Sequence, residues 1–122
     1  MRFAKTIYIV AAVWGLLVLT PLYFMEQSIG TKNPPAITHP EYFYGFVGVG
    51  LAWQIAFLII GTNPVRYRAL MIPCMIEKFS FAIACTMLYM RQRIATQVFG
   101  SSMVDLVFGV LFVVVYVRTS SL

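Results

Sequence analysis

The sequence predicts an all-α integral membrane protein, a single bundle of four transmembrane helices. Of the 122 residues, 61% are apolar and only 11% are charged, and a soluble domain of this length has too little interior to bury so much apolar surface. The apolar residues also fall into four runs, each near the length of about 20 residues that an α-helix needs to cross a bilayer. We predict approximate helices at 7–25, 42–60, 64–90 and 95–117, within one membrane domain that comprises residues 1–122.

The first run follows a short basic start that contains Arg2 and Lys5. This run is long enough to span a bilayer, and it is not followed by the small-residue cleavage site of a signal peptide. We therefore interpret 7–25 as a transmembrane helix, with Pro21 as a site for a kink. The polar segment 26–40 carries one glycine and three prolines, so we expect a loop on one face of the membrane.

The second helix is predicted to begin at the end of this loop, around Pro40. Proline suits the first helical position, and Glu41 suits the first turn because it lies near the positive end of the helix dipole. For His39 and Glu41 two interpretations stay open: exposed residues of the helix start, or a proton carrier or ligand contact at the interface. Farther along, Gly48 and Ala52 form a small-xxx-small pair, which predicts a close contact with another helix, within the chain or between copies.

The third helix is predicted to begin with Asn63 as its N-cap and Pro64 as its first residue, with Pro73 as a site for a bend. A short connection then leads to the fourth helix. The basic residues near the helix ends divide five to three between the two faces of the bundle: Arg2, Lys5, Arg66, Arg68 and Arg118 on the face of both termini, and Lys32, Arg91 and Arg93 on the other. This excess predicts cytoplasmic termini in a cell membrane, which we expect to be a bacterial inner membrane.

Polar and charged residues lie near the middle of three of the four apolar runs. Counting inward from the helix ends places Trp53, Gln54, Glu77, Lys78 and Asp105 at a similar depth. A charge at the bilayer centre costs about 2.5–3.5 kcal/mol on insertion scales, so it persists where something pairs or solvates it. We expect Lys78 and Asp105 to form a buried pair, because they lie mid-span on consecutive helices. The layer itself is either a set of polar contacts that hold the helices together or a ligand pocket.

No metal site, cofactor or nucleic-acid partner is predicted. Cys74 and Cys85 lie roughly 16 Å apart along one helix, too far for a disulfide, and no metal-ligand spacing is present. The basic residues flank the apolar runs instead of forming one patch, which is typical of membrane topology signals and not of nucleic-acid binding.

Three segments resemble uncharacterised small four-helix bacterial membrane proteins: HPEYFYG (39–45), NPVRYR (63–68) and IEKFS (76–80). The overall plan is also similar to DoxX-like four-helix proteins. This resemblance implies a four-helix membrane fold, but it brings no assigned chemistry and no catalytic residue.

Three functions remain open. The sequence favours a non-catalytic membrane component, either an accessory subunit of a larger complex or a self-assembling homo-oligomer, because it shows no nucleotide or metal motif and no nucleophile–base pair. The second hypothesis is a module that binds or transports a lipid-like ligand, a quinone, a proton or a small solute at the polar layer. The third is an enzyme that acts on a lipid-soluble substrate. A pocket needs room between the helices, whereas polar contacts that only join helices do not.

Overall fold

The computed structural model describes residues 2–32 and 34–121, and within these ranges it contains helices and irregular segments but no strand. The α-helices are α1 (Arg2–Leu19), α2 (Glu26–Lys32), α3 (Pro40–Thr62), α4 (Met71–Met90) and α5 (Thr96–Arg118). Short 3₁₀ segments at Thr20–Phe24 and Arg68–Leu70 extend α1 and precede α4. Among the described residues, four helical segments are long and apolar enough to cross a membrane: Arg2–Phe24, Pro40–Thr62, Arg68–Met90 and Thr96–Arg118. The prediction of an all-α chain with four such helices is confirmed.

The third long helix begins later than predicted. Asn63 accepts a hydrogen bond at Oδ1 from the backbone N–H of Arg66 at 3.2 Å, but this bond closes an isolated turn, and the α-helix starts only at Met71. Pro73 therefore lies in the first turn of α4. The backbone N–H groups of a first turn have no partner within the helix, so a proline there removes no hydrogen bond and need not bend the helix. Pro21 has a different effect, because the chain passes from α-helix to 3₁₀ helix beside it.

The expectation of a loop throughout 26–40 is wrong for its first seven residues, which form α2. Glu26 lies in the first turn of α2 and Lys32 in its last turn, so both charges favour the helix dipole. The Tyr44 hydroxyl donates a hydrogen bond to Glu26 Oε1 at 2.9 Å, and the Tyr44 ring stacks on that of Tyr23 with centroids 6.0 Å apart. Tertiary contacts with α3 thus support a helix that is too short and too polar to stand out in the sequence.

The four long helices form two antiparallel hairpins. In one hairpin α1 packs along α3, and in the other α4 packs along α5. The two hairpins join mainly where α1 meets α5, whereas α3 and α4 barely touch. The order around the bundle is therefore α3, α1, α5, α4, with a gap between the first and the last.

The half of the bundle near the chain ends is tightly packed. Tyr8 is fully buried and stacks on Phe112 with ring centroids 4.2 Å apart. The Phe57 ring packs edge-to-face against both rings. Arg68 closes this end of the bundle. Its Nη2 donates a hydrogen bond to the backbone carbonyl oxygen of Tyr116 at 2.8 Å, and its guanidinium carbon lies 3.7 Å from the centroid of the Tyr116 ring. The carbonyl belongs to the last turn of α5, where no helical N–H is available to it.

The contact between α1 and α3 runs through small residues other than the predicted pair. A Cβ atom added at Gly50 or Gly61 would lie 2.8 or 2.7 Å from side chains of α1, so the helices approach closely at both positions. Gly48 is half-buried and faces the Tyr23 hydroxyl, while Ala52 is exposed. Within the chain, this face therefore meets the 3₁₀ extension of α1 at Gly48, where a Cβ would lie 3.3 Å from the Tyr23 hydroxyl. A contact between copies through this face stays a prediction.

Candidate functional site

The gap between α3 and α4 widens into a cavity in the half of the bundle away from the chain ends. Its volume is about 920 Å³, which falls within the range of roughly 300–1,000 Å³ that is typical of small-molecule sites. Residues from all five helices line it, and most of the lining surface is apolar. Its lining extends from Gln54 and Lys78, in the middle of α3 and α4, to Ile29 of α2 and Glu41 at the start of α3.

The walls combine small residues with aromatic rings. Gly45 and Gly50 of α3 line the cavity, and nothing lies within 4 Å of the position that a Cβ of Gly45 would occupy. Across the gap, Phe46 of α3 and Phe81 of α4 stack with ring centroids 6.1 Å apart. The absence of side chains at the glycines leaves space, and the aromatic rings give the walls a broad apolar surface.

The charged residues predicted in the middle of the helices form the floor of the cavity. Lys78 is only 2% exposed, and its Nζ lies 3.1 Å from Asp105 Oδ1 and 3.8 Å from Glu77 Oε2. The same nitrogen lies over the ring faces of Phe57 and Phe108, at 5.1 and 5.8 Å from their centroids. One ammonium group therefore lies between two carboxylates. The predicted pair of Lys78 and Asp105 is confirmed, and Glu77 is a second partner.

A glycine on α5 allows this arrangement. A Cβ at Gly109 would lie 3.2 Å from the Cβ of Lys78 and 3.2 Å from the Phe79 ring, which is tighter than ordinary van der Waals contact. The absence of a side chain at Gly109 lets α4 and α5 approach closely one turn beyond Asp105.

Gln54 completes the floor from the side of α3. Its Nε2 donates a hydrogen bond to the backbone carbonyl oxygen of Gly50 at 2.8 Å, and its side chain lies directly over Gly15, where a Cβ would overlap it. Among the described residues, the buried side-chain polar atoms without a hydrogen-bond partner are the Tyr8 hydroxyl, Gln54 Oε1 and Glu77 Oε2. Gln54 and Glu77 line the cavity. Its floor thus holds two acceptor oxygens without a hydrogen bond from a described protein group, of which Glu77 Oε2 also lies 3.8 Å from Lys78 Nζ.

The remaining predicted residues lie higher in the cavity or outside it. Trp53 and Glu41 line the cavity, whereas His39 does not belong to the lining. His39 Nδ1 lies 3.3 Å from Glu41 Oε1, and both side chains are more than 60% exposed. The His39 ring stacks on Tyr42 with centroids 4.8 Å apart. Glu41 thus lies at the cavity mouth, and His39 is an exposed residue beside it.

Metal binding finds no support in the described part of the chain. Within residues 2–32 and 34–121, no group of three or more His, Cys, Asp or Glu side chains is placed to hold a metal ion. Cys74 and Cys85 are both buried free thiols on α4.

Sequence reasoning missed the residues that form the cavity walls, among them Trp14, Phe46 and Phe81. An aromatic residue in an apolar run has the same appearance in the sequence whether it faces lipid, another helix or a cavity. The only signal for open space was the high glycine content of the first half of α3, which predicts close approach equally well. Comparison of this chain with protein families, with curated proteins and with solved structures finds no match, so the resemblance to DoxX-like proteins stays a prediction.

Proposed function

We propose that this chain is a multi-spanning membrane protein that binds an amphipathic, lipid-soluble molecule in the cavity between α3 and α4. The observation that carries the proposal is the cavity itself: about 920 Å³ of space whose walls are apolar and whose floor is charged.

Placement in a membrane is supported by the outer surface of the bundle. Large apolar side chains outside the cavity lining are exposed on each of the long helices, among them Leu17 at 69%, Ile55 at 49%, Ile76 at 62% and Val117 at 63%. Such a surface is unfavourable in water and ordinary in lipid. We place both termini on the cytoplasmic side, because the end of the bundle that holds them carries the larger number of basic residues.

The open cavity favours ligand binding over a purely structural role for the polar layer. Lys78 and Asp105 join α4 to α5, and Gln54 packs over Gly15 of α1, so these polar side chains also hold helices together. A purely structural role does not account for the space between α3 and α4, which barely touch, or for the two acceptors of its lining that have no hydrogen-bond partner. Unpaired buried acceptors are destabilising, by about 1–3 kcal/mol each, so their retention at the cavity floor supports a binding role.

The shape of the site suggests how such a molecule is held. An acyl or other apolar chain fits between the aromatic walls, where Phe46 and Phe81 contribute apolar surface. The polar end of the molecule then reaches the floor at Glu77, Lys78 and Gln54. Burial of the apolar part supplies most of the affinity, and the floor fixes its orientation.

Quenching of tryptophan fluorescence tests the proposal, because both tryptophans of the chain, Trp14 and Trp53, line the cavity. The probe is a monoacylglycerol with a dibrominated acyl chain, added to the protein in maltoside micelles. Bromine quenches tryptophan at contact distance, so binding should give saturable quenching at a low mole fraction of the probe.

A matched pair of variants distinguishes quenching by probe that is bound in the cavity from quenching by probe that is dissolved in the micelle. Gly45→Phe fills the cavity, whereas Gly100→Phe introduces the same side chain on α5 at a position that is also open but lies outside the lining. We expect Gly45→Phe to abolish saturable quenching and Gly100→Phe to retain it, with unchanged circular dichroism in both. Non-saturable quenching of equal strength in all three proteins would contradict the proposal.

A further inference from the structure

We infer that the polar end of the ligand is a primary ammonium group, so that the molecule is an amphipathic amine. This inference rests on the proposed function and assigns its ligand class. Two counts at the cavity floor point to it, one of charges and one of hydrogen bonds, and both take Glu77 and Asp105 as ionised carboxylates.

The charge count leaves the floor one positive charge short. Glu77 and Asp105 supply two carboxylates, and Lys78, which lies within 4 Å of both, supplies the one cation of the cluster. Because the surroundings are the ring faces of Phe57 and Phe108 and the apolar walls, water is a poor substitute for a counter-charge there. A cationic head group would neutralise the cluster, whereas an anionic one would add to the excess.

The hydrogen-bond count at the floor leaves two acceptors free. Among the described residues, Gln54 Oε1 and Glu77 Oε2 are the fully buried side-chain polar atoms of the lining that have no hydrogen-bond partner. The orientation of the Gln54 amide follows from its other contact, since only its nitrogen can donate to the carbonyl oxygen of Gly50. The Lys78 ammonium is directed to Asp105 at 3.1 Å and does not reach Gln54 within hydrogen-bond distance. A ligand that satisfies the floor must therefore bring N–H or O–H groups.

Common head groups differ in how well they meet these two requirements. A quinone or a carboxylate offers only acceptors, so Gln54 and Glu77 would stay unpaired, and the carboxylate would also add a second negative charge. An alcohol brings one donor and no charge. A primary ammonium brings three donors and the missing positive charge, in the form that makes the stronger, charge-assisted bond to a carboxylate.

Competition against the brominated probe tests the inference in the wild-type protein. Dodecylammonium, dodecanol, dodecanoate and dodecyltrimethylammonium share one tail, and uncharged maltoside micelles at neutral pH add no charge preference of their own. We expect dodecylammonium to displace the probe at roughly tenfold lower mole fraction than dodecanol, with dodecanoate weaker still. The trimethyl compound, which keeps the charge but has no N–H, should fall between the amine and the alcohol.

Two variants, each of which removes one negative charge, show whether the preference for dodecylammonium depends on Glu77. Glu77→Gln should reduce the preference for dodecylammonium over dodecanol to within about twofold, since it removes the charge-assisted partner. Glu26→Gln is the control, because it also removes one negative charge but lies outside the cavity lining and can still accept the Tyr44 hydroxyl. It should leave the preference unchanged.

The outcomes separate this inference from the proposed function. If dodecanol or dodecanoate competes as well as dodecylammonium in the wild type, or if Glu77→Gln keeps the preference, the amine assignment is wrong although the cavity still binds. Equal competition by the trimethyl compound would refute the hydrogen-bond part. If the brominated probe shows no quenching that depends on Gly45, the proposed function itself fails.

Discussion

Because Glu77 is a second carboxylate beside Lys78, the removal of Lys78 and the removal of Asp105 should affect the stability of the protein unequally. From the sequence alone, Lys78→Met and Asp105→Leu are each expected to destabilise the protein more than the double variant does, since each leaves one unpaired charge. The structure changes this expectation. In Asp105→Leu, Lys78 keeps Glu77 at 3.8 Å. In Lys78→Met, by contrast, two carboxylates remain together and no cation is left.

The distances give the size of this inequality. At an effective dielectric constant of about 20, unit charges at 3.1 and 3.8 Å attract by roughly 5.4 and 4.4 kcal/mol before desolvation, so Lys78 keeps nearly half of its attraction to carboxylates when Asp105 is removed. We therefore expect Asp105→Leu to lower the free energy of unfolding by about 1–2 kcal/mol, and Lys78→Met by about 3–5 kcal/mol, as for the loss of one member of a buried pair. The double variant should be less destabilised than Lys78→Met, because it leaves one carboxylate instead of two that repel each other.

Unfolding in mixed micelles measures these values. The protein in maltoside is titrated with sodium dodecyl sulfate, and the transition is followed by circular dichroism for the wild type, both single variants and the double variant. A coupling free energy of about 2 kcal/mol between the two positions would agree with the geometry. Additive effects would refute the reasoning, since they would mean that Lys78 and Asp105 do not interact in the folded protein. Equal effects of the two single variants would refute the role assigned to Glu77.

Three further predictions concern packing and orientation. Gly61→Ala should destabilise the protein by about 1–3 kcal/mol in the same titration, because its Cβ would press against a side chain of α1. Gly45→Ala, at an open position, should instead stabilise the protein by up to about 1 kcal/mol. The reverse order of stability would contradict the close α1–α3 contact. Arg68→Lys should lower the free energy of unfolding by roughly 1–2 kcal/mol, since lysine cannot reproduce the stacked, hydrogen-bonded guanidinium at the end of α5. Arg66→Lys, at an exposed position, is the control and should leave the free energy of unfolding unchanged. A cysteine introduced at Lys32 should react with an impermeant thiol reagent only from outside the cell, and labelling only from the cytoplasm would reverse the proposed topology.

The sequence allows correct prediction of those features that a single physical requirement determines. Long apolar runs predicted the four long helices, and the cost of isolated charge predicted the pairing of Lys78 with Asp105. The start of α4 at Met71 was not predictable in the same way, because Asn63 and Pro64 are equally suited to a helix start and to an isolated turn. For α2, the contact between Glu26 and Tyr44 joins residues 18 positions apart, and local propensity contains no sign of it.

The cavity lay beyond sequence reasoning for a different reason. Apolar residues occur on every side of the long helices, so periodicity does not say which helix face meets which neighbour. The bundle order, with α3 and α4 apart, is therefore invisible in the sequence, as is the position of the wall residues Trp14, Phe46 and Phe81. The depth of Gln54, Glu77 and Lys78 was predictable, but the space above them was not.

The division into two hairpins has a consequence for assembly in the bilayer. Lys78 and Asp105 belong to α4 and α5, so a single hairpin contains both members of the pair and also Glu77. Lys78 can therefore pair with both carboxylates as soon as this hairpin inserts, before it meets α1 and α3. Docking of the hairpins along the α1–α5 seam then requires only apolar packing around Tyr8 and Phe112. In the proposed membrane placement, Lys78 is thus paired before the two hairpins associate, and the remaining negative charge of the α4–α5 hairpin is left for the ligand to neutralise.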